Sequence, residues 1–250
     1  METVCQTRIK HIATVLALAI TALTGGFILL SGHENQLLLT LTTFLLVLLP
    51  MALEKYFHCR VRLSIYLLAL FYALGPLLGH CWYFYYILTG WDKLLHTLAG
   101  VIFVFVGTFF YDLLAGDSTR VSMRILFGVL FSIAVAAVWE FFEFGMDVFF
   151  GMDMQNDTVI SGFTSYLLGD SMAVTGALWD ITVLTVNGIP IPVDGYIDIG
   201  LIDTMLDMLL ETLGAAVTGL ALWFDRERHP IIVSSRPEEK QSHVTCPPSS

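Results

Sequence analysis

Six stretches of this chain, near residues 11–31, 36–53, 63–83, 91–114, 123–150 and 198–224, are long and apolar enough to cross a hydrocarbon core of about 30 Å. No water satisfies backbone N–H and C=O groups there, so a spanning segment must close its own hydrogen bonds as a helix or join a closed barrel. Runs of about twenty residues select the helix, because barrel strands need only about half that length. The expected fold is therefore all-α, a polytopic membrane bundle of six transmembrane helices. A composition that is 56% hydrophobic and 14% charged excludes an ordinary soluble domain. The first run lacks a small-residue cleavage pattern and is followed by further spans, so it is expected to remain as a helix.

Basic residues set the orientation. Arg8 and Lys10 precede the first span; Lys55, Arg60 and Arg62 separate the second and third; Arg120 and Arg124 lie between the fourth and fifth; Arg226, Arg228, Arg236 and Lys240 follow the sixth. The opposite loops, 32–35, 84–90 and 151–197, contain no Lys or Arg. Multi-pass insertion in a cytoplasmic membrane with both termini in the cytoplasm satisfies every group. Cys5, Cys59 and Cys246 then fall on the cytoplasmic side, with Cys81 alone near the outer end of the third span. No pair is placed for a disulfide or a Cys-x-x-Cys metal site. The net charge of −10 carries no nucleic-acid signal, since the acids are largely in and beside the spans; membrane lipids are the expected surroundings, and the oligomeric state is open.

Residues 1–224 are read as the bundle and 225–250, rich in Ser and Pro, as a disordered cytoplasmic tail. The one long connection, 151–197, is read as an outer loop that is either a lid over a site or a surface ornament. Within it Ile181–Val193 reads as a β-hairpin: two β-prone runs flank Asn187-Gly188, and Pro190 and Pro192 confine the second to an edge. Val159–Trp179 is apolar enough to compete as a seventh span. Gly162, Gly169, Asp170 and Gly176 interrupt it, and a seventh crossing would put the basic tail outside, so a helical or re-entrant piece at the outer surface is expected instead.

Three spans carry polar faces: Trp91-Asp92-Lys93-Leu94-Leu95-His96; Trp139-Glu140-Phe141-Phe142-Glu143 with Asp147 beyond; and Asp203-Thr204-Met205-Leu206-Asp207 with Glu211 beyond. Spacings of three and four put each set on one side of a helix. A carboxylate near a bilayer centre costs about 2.5–3.5 kcal/mol on insertion scales. At a rise of 1.5 Å per residue, His96 and Asp203 lie ~8 Å below the outer ends of their helices, Glu143 ~10 Å, and Glu140 and Asp207 ~14–15 Å. Three separate segments thus place acids at one depth. Asp92 and Asp147 also suit helix ends at the water interface, and Lys93 suits a snorkelling interfacial lysine. His80 is a further ligand candidate, and Ala215 with Gly219 suits close helix packing.

Carboxylates with one imidazole suit hard or borderline divalent cations such as Mg²⁺, Mn²⁺ or Fe²⁺. The metal-ligand candidates are His96, Glu140, Glu143, Asp203 and Asp207; Asp92, His96 and Glu143 are the candidates for acid–base work. A metal held there would present an open position to water or a phosphate oxygen, giving a divalent-metal-dependent membrane hydrolase or transferase acting on a lipid or isoprenoid phosphate. Without metal, the same residues would titrate as coupled acids, the basis of a proton- or cation-coupled transporter. A non-catalytic membrane scaffold is the third reading.

The ordered set Trp91-Asp92-Lys93-x-x-His96, Trp139-Glu140-x-x-Glu143 and Asp203-Thr204-x-x-Asp207, ending in Gly214-Ala215, resembles the YjdF-like family of bacterial inner-membrane proteins. More distantly it is similar to VanZ-like proteins, whose Asp-Lys-x-x-His, Glu-x-x-Gln and Asp-x-x-x-Asn-x-x-Gly elements run in the same order. The resemblance implies a bacterial cytoplasmic-membrane protein with a loose link to the cell envelope. Glu143 stands where VanZ-like chains carry Gln, Glu211 stands near the usual Asn, and the insert at 151–197 departs from a compact loop.

Overall fold

A computed structural model of the chain describes residues 4–32, 36–115, 120–171, 173–225 and, as backbone only, 232–234. Six long helices are present: α1 (Val4–Ser31), α2 (Leu37–Tyr56), α3 (Leu63–Cys81), α5 (Trp91–Ala115), α6 (Val121–Phe150) and α7 (Leu201–Phe224), with one turn of helix, α4 (Phe84–Ile87), before α5. Each of the six is long and apolar enough to span a membrane. The expected all-α membrane architecture is thus the observed one, with helix ends within a few residues of those read from hydropathy. The largest difference is at α1, which starts at Val4 and so includes Lys10.

The chain divides into two compact units, Met1–Phe84 with Arg228–Ser250, and Tyr85–Glu227. In the first, α1, α2 and α3 pack pairwise around Ala17, Val47, Tyr66, Leu70 and Ala73. Lys10 is buried there: its ammonium donates to Glu54 at 2.6 Å and to the Val61 carbonyl at 2.6 Å. The short strand β1 (Cys59–Val61) pairs antiparallel with β8 (Ile232–Ser234). The rest of the tail expected to be disordered, apart from Asp225, lies outside the described residues.

In the second unit α5, α6 and α7 pack pairwise. α5 and α7 approach so closely that a Cβ on Gly100 would strike the Glu211 carbonyl oxygen, and one on Gly214 the Thr97 carbonyl oxygen. Small residues permit this in a membrane, where helix association rests on van der Waals contact rather than on expulsion of water. Ala215 is fully buried beside this crossing and Gly219 packs on Val129 of α6, as their four-residue spacing implies. Outward, Leu209, Leu213, Val217 and Leu220 of α7 are exposed, the apolar surface that lipid would cover.

The connection between α6 and α7 folds as short antiparallel strand pairs. β2 (Thr158–Ile160) pairs with β7 (Tyr196–Asp198), β3 (Phe163–Ser165) with β4 (Gly176–Leu178), and β5 (Leu184–Val186) with β6 (Ile189–Ile191). The expected hairpin is present in the expected register: Val186 faces Ile189 across Asn187-Gly188, both at positive φ as a tight primed turn requires. The helical or re-entrant reading of Val159–Trp179 is corrected. Apart from the 3₁₀ turn Tyr166–Leu168, its regular structure among the described residues is strand, the end of β2 and the pair β3–β4, joined by bends and turns. Its glycines are the reason: a Cβ at Gly169 would meet the Val174 carbonyl and one at Gly176 the Leu168 carbonyl, so they mark close backbone approach rather than breaks in a helix.

Candidate functional site

The polar faces meet in the second unit, at the end where α5 and α7 begin and α6 finishes. The buried stripe of α7 runs Asp203, Asp207, Glu211, Gly214, Ala215, Thr218, Gly219. Its first half is acidic and its second half small, so one face supplies both charge and the tight crossing that positions it. On α6, Glu140 and Glu143 complete a buried face that begins with Ile125, Gly128, Ser132 and Ala136. On α5, His96 is buried, while Asp92 and Lys93 are partly exposed at the mouth. The remaining candidate, His80, is on α3 of the first unit.

Lys93 organises the mouth. Its ammonium lies 2.5 Å from Asp203 Oδ1, 2.8 Å from each Asp207 oxygen and 3.2 Å from Asp92 Oδ2. The snorkelling reading of Lys93 is corrected: two carboxylates on α7 draw the side chain inward. No basic residue lies among the acids of α6 and α7, the Arg124 of α6 pairing with Asp112 instead, and α5 supplies their partner. His96 Nε2 sits 3.7 Å from Asp92 Oδ1 and 3.8 Å from Asp207 Oδ2. Asp92, His96 and Asp207 each offer a ligand atom within 4.8 Å of the others, a spacing that suits a metal ion.

The other acids have separate partners. Trp139 Nε1 donates to Glu143 Oε1 at 2.8 Å. Glu140 lies beside Thr204 and Glu211 beside Ser132, whose hydroxyl donates to the Gly100 carbonyl at 3.2 Å. Glu140 Oε2 and Glu211 Oε1 are buried with no hydrogen-bond partner among the described residues. Of the five expected metal ligands, the triad thus includes His96 and Asp207, while Asp203, Glu140 and Glu143 turn to Lys93, Thr204 and Trp139.

The start of the long connection covers the rim. Asp147, at the end of α6, accepts from the backbone N–H groups of Met154 at 2.6 Å and Gln155 at 2.9 Å. Gln155 Nε2 donates to Thr204 Oγ1 at 2.5 Å, and Asn156 donates to Asp203 Oδ2 through its backbone (3.0 Å) and its side chain (3.2 Å). Asp147 therefore anchors the connection rather than merely ending a helix. Met154–Asn156 form a cap between α6 and α7 that sequence reading missed; an amide pair after an acidic helix end was the available signal. Just outside α6, the Asp153 carboxyl is pushed above its ordinary range by partial desolvation, then by Asp157, Asp147 and Asp203.

The arrangement gathers buried carboxylates, an ammonium and an imidazole at one end of three candidate spans, behind a polar cap. The family described as "Predicted membrane protein (DUF2238)" matches residues 12–228, which include every residue of the site and all six spans except the start of α1. The chain belongs to this family. No curated protein and no solved structure matches it. Membership in the DUF2238 family agrees with the six spans and makes this an integral membrane protein.

Proposed function

We propose that the α5–α6–α7 unit is an outward-facing, proton- or cation-coupled transport centre. One observation carries this reading: among the described residues, five buried carboxylates, Glu140, Glu143, Asp203, Asp207 and Glu211, with Asp92 at the mouth, meet one ammonium, Lys93, and one imidazole, His96. In a medium that disfavours uncompensated charge, the excess acids must take up protons or cations. Lys93 bridges Asp203 and Asp207, so an incoming cation or proton competes with the ammonium for the same oxygens. That competition is the element that would couple occupancy to conformation.

The basic residues between spans support insertion in a bacterial inner membrane with both termini cytoplasmic. The resemblance to YjdF-like and VanZ-like chains supports the same location. A second reading, a divalent-metal-dependent enzyme acting on a lipid or isoprenoid phosphate, is favoured by the Asp92–His96–Asp207 spacing. On that reading Lys93 would meet the phosphate, and the triad would hold Mg²⁺, Mn²⁺ or Fe²⁺.

Purified protein reconstituted in vesicles with an internal pH-sensitive dye separates the two. Imposed Na⁺, K⁺, Mg²⁺ or Mn²⁺ gradients should drive proton movement that Asp207→Asn abolishes. Metal retained through purification and lost in His96→Ala, with no flux under any gradient, would replace the transport reading by the enzymatic one.

A further inference from the structure

The first unit carries a basic cleft that plays no part in the site above. It has a volume of about 310 Å³ and lies where α1 begins and α2 ends. Among the described residues three cationic side chains line it, Lys10, Lys55 and Arg60, against one carboxylate, Glu54, with His11 and His58 beside them. Lys10 is fixed by Glu54 and the Val61 carbonyl and lies 5.1 Å from the centre of the Tyr66 ring, so the floor is rigid and its acid is neutralised. Lys55 and Arg60 stand exposed above it. His58 is held at φ 50°, a left-handed conformation a non-glycine residue adopts only when its surroundings impose it.

A second groove, of about 530 Å³ and mostly apolar, adjoins the cleft along α1 and is lined by Val4, Thr7, Arg8, His11 and Ile12. Thr7 and His11 line both, so the two are continuous. A basic recess merging into an apolar channel at the end of a transmembrane helix pair has the chemistry of an amphiphile with an anionic head. Basic pockets between spans are a recurrent way of holding acidic lipid headgroups.

We propose that this cleft binds the phosphate of an anionic phospholipid, with an acyl chain leaving past Ile12, the groove residue nearest the membrane-spanning part of α1. Lys55 and Arg60 meet the phosphate at the rim, above the neutral Lys10–Glu54 pair, and Ile12 meets the chain. The site is independent of the acids on α5–α7.

The test uses the full chain, delipidated in neutral detergent and titrated with phosphatidylglycerol, phosphatidylcholine or inorganic phosphate, with bound species counted by native mass spectrometry. Phosphatidylglycerol should bind in preference to phosphatidylcholine, and Lys55→Gln/Arg60→Gln should lower its affinity ~10-fold or more, as expected when two phosphate contacts are lost. Because both residues are exposed, the Lys10–Glu54 pair and the melting temperature should be retained. Wild-type binding should also weaken as salt rises from ~50 to ~500 mM, a readout that needs no variant. Equal occupancy by the two lipids, unchanged affinity in the double variant or salt-insensitive binding would overturn the proposal. Inorganic phosphate competing as well as the lipid would overturn it too, in favour of a soluble anion.

Discussion

Lys93 shows how far a single residue's role depends on a distant segment. Read beside its own neighbours it is a basic residue in the first turn of a span; its partners Asp203 and Asp207 arrive 110 and 114 positions later. The acids themselves were legible, because charge in an apolar run at helical spacing has few explanations. Their pairing was not, because hydropathy does not report which helix neighbours which. Lys93→Gln should destabilise the protein by about 2 kcal/mol, less than for a fully buried pair because the ammonium is partly exposed. In the double variant Lys93→Gln/Asp207→Asn most of that loss should be recovered, which a thermal-stability cycle measures; equal losses in both would show that the pair is not coupled. Asp153 gives a pH signature of the opposite sign to a stabilising carboxylate. Its folded-state pKa is raised, so its ionisation opposes folding, and the strain grows as pH rises above the ordinary carboxylate value of about 3.9. Asp153→Asn should therefore raise the melting temperature at pH 7, and the difference should vanish below about pH 4.

Among the elements, the α5–α7 crossing is the most demanding. Leu at Gly214 should drive the side chain into the Thr97 backbone, costing about 1–3 kcal/mol and parting Lys93 from its aspartates. A loss of Asp207-dependent flux together with a lowered melting point is the expected outcome, whereas Gly26→Leu, where a Cβ meets nothing, should change neither. The cap differs in kind. Gln155→Ala/Asn156→Ala removes the side-chain hydrogen bonds to Thr204 and Asp203, leaves the Asn156 backbone N–H on Asp203 and does not touch helix packing, so stability should hold while exchange at the site accelerates; unchanged kinetics would make those side chains ornamental. The hairpin was readable because Asn-Gly fixes both turn type and register. The strands upstream were not, because a three-residue strand has too few alternations to be told from a short apolar helix.

For the molecule as a whole, the six spans were legible to within a few residues at most ends because a bilayer imposes length and apolarity at once. With native cysteines replaced, a cysteine at Ile87 or Asn187 should react with an impermeant thiol reagent from the side opposite to one at His58. One span separates 58 from 87 and two separate 87 from 187; labelling of Asn187 and His58 from the same side would require a further crossing. The order in which the spans are made has its own consequence. α7 is the least apolar of the six and carries three acids, yet it leaves the ribosome last, when α5 is already in the lipid. Lys93 is thus available as a counter-ion waiting in the membrane, and α7 can pass from the insertion channel to lipid as half of a neutralised pair. Lys93→Gln should then leave a fraction of newly made chains with α7 uninserted, visible as protease-sensitive C termini during synthesis, even where the finished protein tolerates the change.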